Sequence, residues 1–424
     1  MNKIERIIYD MVKSRPGLKR AFRNIYQTIF DLMPVKRIKS EYKINMLENR
    51  FFGFHDHSPF SADESFVLSC VSPSSIRMPR SGEKISLSLD SVEPSKDPII
   101  FGKTSAWNWH MGPKLQWFGE DTIFFNDLVN GNPVGRFVGI SGDIKFELSA
   151  HFSSVNFKEA IGVGYSFSRL EQGMPGYGYL NQKKSSSDNV LIPDICGLYI
   201  WDLKAHKETF FISIKEIASS CNPTITKDCF HFATHALFNK AASKIAFIHR
   251  WVEASNIDIR RSRLMLLDVK SQSLSQLTFG NMISHFHWLT DNSIIAYCNV
   301  PGLGDRYCII DTTSLEIEPL SNTALTSDGH PHPYKDGKKF VSDTYPNRRR
   351  MQELFLFNIE NSNKTSLGLF YHPKEFQIIY EKYPVVIINS KFEGQSNSLM
   401  EALCQNSACI VNSRLRDEML ELYG

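Results

Sequence analysis

Ser327-Asp328-Gly329-His330-Pro331-His332-Pro333-Tyr334-Lys335-Asp336-Gly337 is the stretch whose reading decides the fold. A close His-x-His pair runs into a polar turn, and Lys339-Phe340-Val341-Ser342-Asp343-Thr344 then reads as a strand. The same order of parts recurs upstream. His57, His235, His285 and His330 each stand six residues before a turn residue, namely Asp63, Ala241, Asp291 and Asp336. Apolar runs follow the turns: Phe66-Val67-Leu68, Ile245-Ala246-Phe247-Ile248, Ile294-Ile295-Ala296-Tyr297 and Phe340-Val341. A further run, Ile123-Phe124-Phe125, follows Gly119-Glu120-Asp121.

A second strand type that ends in a turn completes the unit. Examples are Leu198-Tyr199-Ile200-Trp201-Asp202, Leu264-Met265-Leu266-Leu267-Asp268, Tyr307-Cys308-Ile309-Ile310-Asp311 and Leu354-Phe355-Leu356-Phe357-Asn358. A unit of roughly fifty residues with several strands predicts a β-propeller. Six units begin near residues 51, 114, 151, 235, 285 and 330. The expectation is a mainly β chain with a propeller over residues 46–372, of six or seven blades. Long insertions at 72–110 and 171–195 are expected as loops on one face.

The flanks have a different texture. Residues 1–39 hold ten Lys and Arg against three acids, a net +7 in a chain of +3 overall, so the remainder is −4. Ile4, Ile7, Ile8, Met11 and Val12 share one helical face, and Ala21, Phe22, Ile25, Tyr26, Ile29 and Phe30 resume it after Pro16-Gly17. Residues 1–45 are therefore expected to be basic and helical. Residues 1–35 either lie on an anionic membrane surface or cap the next domain with a solvated basic face. Residues 373–424 read as a βαβ fragment. Tyr383-Pro384-Val385-Val386-Ile387-Ile388-Asn389 is a buried strand, Ser396-Asn397-Ser398 opens the helix Leu399-Met400-Glu401-Ala402-Leu403, and Ala408-Cys409-Ile410-Val411 is a second strand.

Bulk properties exclude several classes. Eight cysteines form no CxxC, which favours reduced thiols over a disulfide framework or a zinc site. There is no run of about eighteen apolar residues and no signal-peptide core. A cytoplasmic protein is expected, peripheral at the inner membrane if the basic helix docks there. The net charge gives no reason to expect nucleic acid as a partner.

Comparable positions in different blades point several histidines at one channel. His55, His287 and His332 each lie two residues from another of the set, and residues two apart on a strand share a face. The cluster of His285, His330 and His332 has the residue types and spacing of a divalent-metal site, manganese among the candidates. Structural hydrogen bonding between blades is the other reading. Arg169, Arg250 and Arg263 are candidates for holding a carboxylate or phosphate, against structural pairing. Trp107, Trp109, Tyr177 and Tyr179 lie at or beside the insertions and suit either a sugar-binding surface or the core.

Two resemblances follow from these motifs. Residues 391–413 contain Glu393-Gly394-Gln395-Ser396-Asn397-Ser398-Leu399-Met400-Glu401 and resemble the donor-binding E-x7-E segment of retaining two-Rossmann glycosyltransferases. The resemblance implies that Glu393 faces a donor sugar and Glu401 a nucleotide ribose, with Gly394 and Ser396 beside the nucleotide sugar. Residues 50–372 resemble the oligogalacturonate-lyase-like propellers through Ser284-His285-Phe286-His287-Trp288, His330-Pro331-His332-Pro333 and Asp343-Thr344-Tyr345-Pro346. That resemblance implies a divalent metal, usually manganese, on His285, His330 and His332. A glutamine that completes the family's ligand set is replaced here by Ser327.

Three functions are expected. The first is a glycan-handling protein of bacterial-type surface polysaccharide biosynthesis, with an oligosaccharide or polysaccharide as partner. The second is a metal-dependent lyase on acidic oligosaccharides, with His235 as the base and Arg250 or Arg263 on the carboxylate. The third is a non-catalytic interaction propeller.

Overall fold

The computed structural model describes residues 45–47, 49–73, 79–93, 96–220, 228–254, 256–320, 324–325, 327–334, 336–347, 351–371, 387–392, 396–401 and 407–409. Six four-stranded antiparallel sheets succeed one another along the chain as the blades of a propeller. Blade 1 comprises Arg50–Phe51, Phe66–Val71, Ile85–Ser91 and Ile99–Thr104. Blade 2 comprises Gln116–Trp117, Thr122–Val129, Asn132–Gly139 and Ile144–Leu148, and blade 3 Ser154–Asn156, Ile161–Tyr165, Gly197–Asp202 and Lys207–Ser213. Blade 4 comprises Cys229–Phe238, Lys244–Glu253, Asn256–Asp268 and Leu274–Gln276. Blade 5 comprises Ile283–Trp288, Ser293–Val300, Gly304–Asp311 and Ile317–Pro319, and blade 6 His332–Pro333, Lys339–Asp343, Met351–Asn358 and Asn363–Tyr371. The blades begin where the six sequence units begin.

The strands are apolar on both faces because each blade is sandwiched between neighbours. Ile245, Ala246, Phe247 and Ile248 are all fully buried. Leu237, Ile248 and Leu264 of blade 4 share a core with Phe286, Ile294 and Ile310 of blade 5, and Leu289, Ile295 and Tyr307 of blade 5 share one with Phe340, Phe355 and Phe357 of blade 6. One turn device repeats at the end of the third strand in blades 3 to 6. Asp202 accepts from the backbone N–H of Lys204 and Ala205, Asp268 from Ser271, Asp311 from Thr313 and Ser314, and Asn358 from Glu360 and Asn361. A short side-chain oxygen that satisfies the turn's own N–H groups reverses the chain at the same point in each blade.

Among the described residues every blade is one continuous meander, and no strand from one end of the chain completes the blade at the other. Side chains join the ends instead. His55 Nδ1 of the first blade's inner loop donates to the Pro331 carbonyl beside the last blade at 3.0 Å, and His332 Nδ1 donates to the His55 carbonyl at 2.6 Å.

Two expectations are corrected, and one of the insertions stands. The 72–110 stretch is not an insertion loop: most of it is the outer half of blade 1, Ile85–Ser91 and Ile99–Thr104. Its alternation of Ser with Leu hides a strand, Ile85–Ser91, in which Ser88 and Asp90 are buried along with the leucines. The 171–195 stretch is a true insertion between the second and third strands of blade 3, begun by a helix, Phe167–Gly173. In the tail, Ser396–Glu401 is not a helix. It pairs antiparallel with Ile387–Phe392, and Ser407–Cys409 pairs with Asn45–Leu47. A helix of one or two turns with no sheet to pack on is marginal, whereas a hairpin satisfies the same backbone groups locally. The basic segment 1–35 lies outside the described residues. No helix among the described residues is long and apolar enough to cross a membrane.

Candidate functional site

The histidines separate into two groups. The first closes the ring. His287 and His332 pack ring against ring with centroids 4.4 Å apart, His287 Nε2 lies 3.3 Å from the Asp56 carbonyl, and His57 Nε2 bonds the Ser153 carbonyl at 3.0 Å. These are inter-blade hydrogen bonds. Beside them Lys114, itself buried, forms an ion pair with buried Asp56.

The second group converges on one point. His285 and His330 have ring centroids 4.1 Å apart, and His55 lies 5.7 and 5.5 Å from them. Phe54 packs its ring edge against His235 at 4.6 Å and reaches His285 and His330 at 6.0 and 6.1 Å. His235 and His285 line one narrow pocket with Phe54 and Phe286. Half-buried Tyr345 stands 6.4 Å from His285 and 5.9 Å from His330.

Each imidazole in this group is oriented through Nδ1. His330 Nδ1 donates to both Asp343 oxygens at 2.9 and 3.1 Å, and Gln352 also donates to that carboxylate. His285 Nδ1 lies 3.2 Å from Asp328, which Ser284 also bonds. His235 Nδ1 meets the Thr234 hydroxyl at 2.8 Å. A carboxylate on Nδ1, as at His330 and His285, fixes the tautomer and leaves Nε2 as the acceptor; the Thr234 hydroxyl, which donates or accepts, lets His235 present an acceptor Nε2 when it accepts from Nδ1–H. The Nε2 atoms of His55 and His330 are buried with no hydrogen-bond partner. His235 sits at a bulge between Thr234 and Leu237 with φ of 55°, a conformation that costs a β-strand residue energy and re-aims its side chain.

Arg250 is the cation of this site. Its Nη1 contacts the Met174 sulfur at 3.2 Å and its Nη2 donates weakly to the Ser284 carbonyl at 3.4 Å, while Nε is buried without a partner. Among the described residues it forms no ion pair. Burial, followed by Arg250, Lys114 and the neighbouring imidazoles, holds His235 well below the ordinary histidine range, so its ring is neutral near pH 7. Burial and His330 lower His285 in the same direction. Burial works against the charged form of Asp328, and His285 and Ser284 more than offset it. Burial and the nearby Asp328 charge raise Tyr345 well above the ordinary tyrosine value, so its hydroxyl stays protonated.

Arg263 does not belong to this cluster. It is buried in blade 4 and donates to the carbonyls of Ile217 at 2.7 Å and Ser220 at 3.1 Å, to Gln276 Oε1 at 2.8 Å and to His249 Nδ1 at 3.1 Å. It closes the C-terminus of the helix Ile214–Ser219, where a cation suits the free carbonyls. Arg169 is used in the same way, on the carbonyls of His231, Ser187 and Leu191. Trp107, Trp109, Tyr177 and Tyr179 are core side chains and not a sugar platform; Tyr177 stacks on His110 at 4.3 Å, almost parallel. Glu393 and Gly394 lie outside the described residues. Ser396 and Glu401 are strand residues there. Sequence reasoning passed over Lys114 and Asp328. Lys114 carries no sequence signal, whereas Asp328 stood in the opening stretch two residues before His330.

His285, His330 and His332, the ligands that the lyase-like resemblance implies, are divided. The first two lie together, and the third pairs with His287. Among the described residues no group of three or more His, Cys, Asp or Glu side chains is arranged to hold a metal ion. As arranged, this donor set does not fit the implied centre.

No protein-family model matches the chain, and no curated protein matches it. Solved structures do. An oligogalacturonate lyase in complex with manganese superposes with a TM-score of 0.53 at 13% identity, over 88% of this chain and 97% of that one. The β-propeller domain of the Trilobed protease from Pyrococcus furiosus, with an open velcro topology, gives 0.44 at 12% identity, over 77% and 86%. TolB from Acinetobacter baumannii gives 0.37 at 12% identity, and the chain spans 59% of TolB's length. The glycosyltransferase resemblance is not shown by these comparisons. At such identities the likeness to the lyase shows the fold: the chain is a six-bladed β-propeller.

Proposed function

We propose that the protein binds a carboxylate-bearing oligosaccharide at the histidine cluster and cleaves it by β-elimination. The observation that carries this reading is Arg250, a guanidinium without an ion-pair partner beside neutral imidazoles. The nearby Asp328 carboxylate favours the charged guanidinium but is bonded to Ser284 and His285, so Arg250 keeps its own donors for an arriving anion, and a planar guanidinium suits a carboxylate. With the sugar carboxylate on Arg250, the adjacent carbon becomes acidic. His235 Nε2, which makes no hydrogen bond among the described residues, takes that proton. The C–H electrons form a carbon–carbon double bond, the glycosidic C–O bond breaks, and the Tyr345 hydroxyl gives its proton to the leaving oxygen. The likeness in fold to an oligogalacturonate lyase supports the choice of reaction by analogy only.

The test is incubation of purified protein with uronate oligosaccharides, following ultraviolet absorbance of the unsaturated product. Product that vanishes in His235→Ala and Arg250→Ala is the expected result. Binding without product on any acidic oligosaccharide would leave a binding propeller, and no binding at all would remove the reading.

A further inference from the structure

A second cavity lies in blade 3, against the chain that leads in from blade 2, and no residue of the histidine site lines it. Its volume is about 390 Å³, within the range of small-molecule pockets. Four parts of the chain build it. The segment joining blades 2 and 3 brings Ser149 and His151, the start of the short helix brings Ser166 and Ser168, the insertion brings Gln182, Lys183, Ser185 and Ser187, and the two outer strands bring Tyr199, Trp201, Glu208 and Phe211. Gly164 makes the close approach possible. A Cβ there would stand 2.1 Å from the His151 carbonyl and 2.4 Å from the Tyr199 ring. Without one, the Tyr199 hydroxyl donates to that carbonyl at 2.6 Å.

The lining chemistry selects a ligand class. Hydroxyls come in pairs: Ser166 and Ser168 are 3.0 Å apart, as are Ser185 and Ser187. Unmet capacity lies with two neighbouring side chains: His151, 1% exposed, donates through Nε2 to the Asp127 carbonyl at 2.8 Å, and neither its acceptor Nδ1 nor the Oε1 of the adjacent Gln182 has a well-formed hydrogen bond. Both are acceptors, so each calls for a separate ligand hydroxyl that donates its proton. Trp201 and Tyr199 bring aromatic rings to the lining, and Phe211, also lining it, is exposed. Charge is balanced, with Lys183 against Glu208, and no guanidinium lines the space. Nor is there an anion cradle: the helix Phe167–Gly173 is short, and the Ser166 hydroxyl already accepts its Arg169 N–H at 3.1 Å. Hydroxyls, an amide and aromatic rings with no net charge suit a neutral pyranose, whose C–H face packs on a ring while its hydroxyls bond the serines.

We infer that this cavity is a separate binding site for a neutral sugar residue, independent of what the histidine site does. The test is titration of the full chain with a panel of neutral sugars (glucose, galactose, mannose, N-acetylglucosamine and their short oligomers), read by calorimetry and by tryptophan fluorescence. Ser149 is exposed at the edge, so Ser149→Trp fills the cavity without disturbing a core, and a thermal melt confirms its folding. The expected result is that at least one panel sugar binds with a Kd near 1 mM or tighter, at least tenfold weaker in Ser149→Trp and Trp201→Ala and unchanged in Arg250→Ala. Failure of every panel sugar to bind, or binding that Ser149→Trp leaves intact, overturns the inference. Loss in Arg250→Ala alone would place the sugar at the histidine site and overturn it as well.

Discussion

The Asp343 carboxylate holds His330 at two points: it accepts the residue's backbone N–H at 2.8 Å and its ring Nδ1–H at 2.9 Å. Both partners are buried, at 2% and 3% exposure, so the bonds are shielded from water. They fix both the path of the chain and the tautomer of the ring. Asp343→Asn keeps the shape but offers an amide in place of an oxygen. Its expected cost is about 1–3 kcal/mol of stability, since a buried donor loses its acceptor. The measurement is denaturant unfolding beside the product assay. A variant as stable and active as the parent would show that the orientation of His330 is not set by Asp343.

Arg250 and Arg263 separate a ligand-facing guanidinium from a structural one. Arg250→Ala is expected to weaken acidic-oligosaccharide binding at least tenfold with little change in melting temperature, because its protein contacts are a sulfur and one long bond. Arg263→Ala removes four partners from a buried site and is expected to cost about 3 kcal/mol or more. Calorimetric titration and thermal melts on both variants check this. The reverse pattern would assign the carboxylate to Arg263.

The propeller was legible because its signal repeats. A histidine, a turn and an apolar run recur in several units, and the aspartates at 202, 268 and 311 close the third strands. Register mattered less than period. Blade 1's outer strands went unread because Ile85–Ser91, although mostly buried, alternates Ser and Asp with Leu and so lacks a continuous apolar run. The site was legible only in part. Equivalent blade positions sent His57, His235, His285 and His330 to one place; the structure brings the last three together, whereas His57 turns to the Ser153 carbonyl. Those positions did not show that His332 turns to the His55 carbonyl, because that contact joins residues 277 apart and serves ring closure. Arg263 and Arg250 have the same local context, an arginine in an apolar strand. Only the neighbouring helix end, absent from any local pattern, distinguishes them.

Stability is expected to fall with acid below the ordinary histidine range. Burial lowers His57 and His151 to about 4 and moves His55, His235 and His332 in the same direction. A folded-state value below the unfolded one means that the unfolded chain binds more protons between the two. Stability is therefore fully present above about pH 6.5 and is lost as pH falls toward 4, with a slope of about 1.4 kcal/mol per pH unit for each titrating ring. Melting temperature against pH checks this. His151→Gln is expected to flatten the curve, and an unchanged slope would show that His151 does not contribute.

Gly53 and Gly112 cross where the inner loop of blade 1 meets the chain entering blade 2. Gly53 has φ of 132°, and a Cβ on it would lie 2.7 Å from the Met111 carbonyl; Gly112, at φ 55°, would meet the Phe52 oxygen at 2.5 Å. These strands of chain carry His55, Asp56 and Lys114. Gly53→Ala is expected to destabilise by about 1–3 kcal/mol and to weaken binding at the histidine site through displacement of Phe54 and His55. Thermal melts with the binding titration check both effects, and a stable variant with intact binding would show that the loops are free to separate.

Lys114 and Asp56 form a buried ion pair in this region, at side-chain exposures of 1% and 7%. Removing one partner strands the other charge: Lys114→Met alone is expected to cost about 3–5 kcal/mol, whereas Lys114→Met with Asp56→Leu is expected to be close to neutral. Burial works to raise the Asp56 carboxyl, but Lys114 outweighs it and leaves the group below its ordinary value. A depressed carboxyl contributes stability that is present above the unfolded value of about 4 and is lost as pH falls through the folded one. The parent should therefore lose stability below about pH 4 by one carboxyl's slope more than the double variant. Urea unfolding of the three proteins at pH 7 and pH 3.5 distinguishes the cases. Equal cost for the single and double variants at pH 7 would mean that the pair stabilises the fold by charge attraction, and not merely by each partner compensating the other's burial.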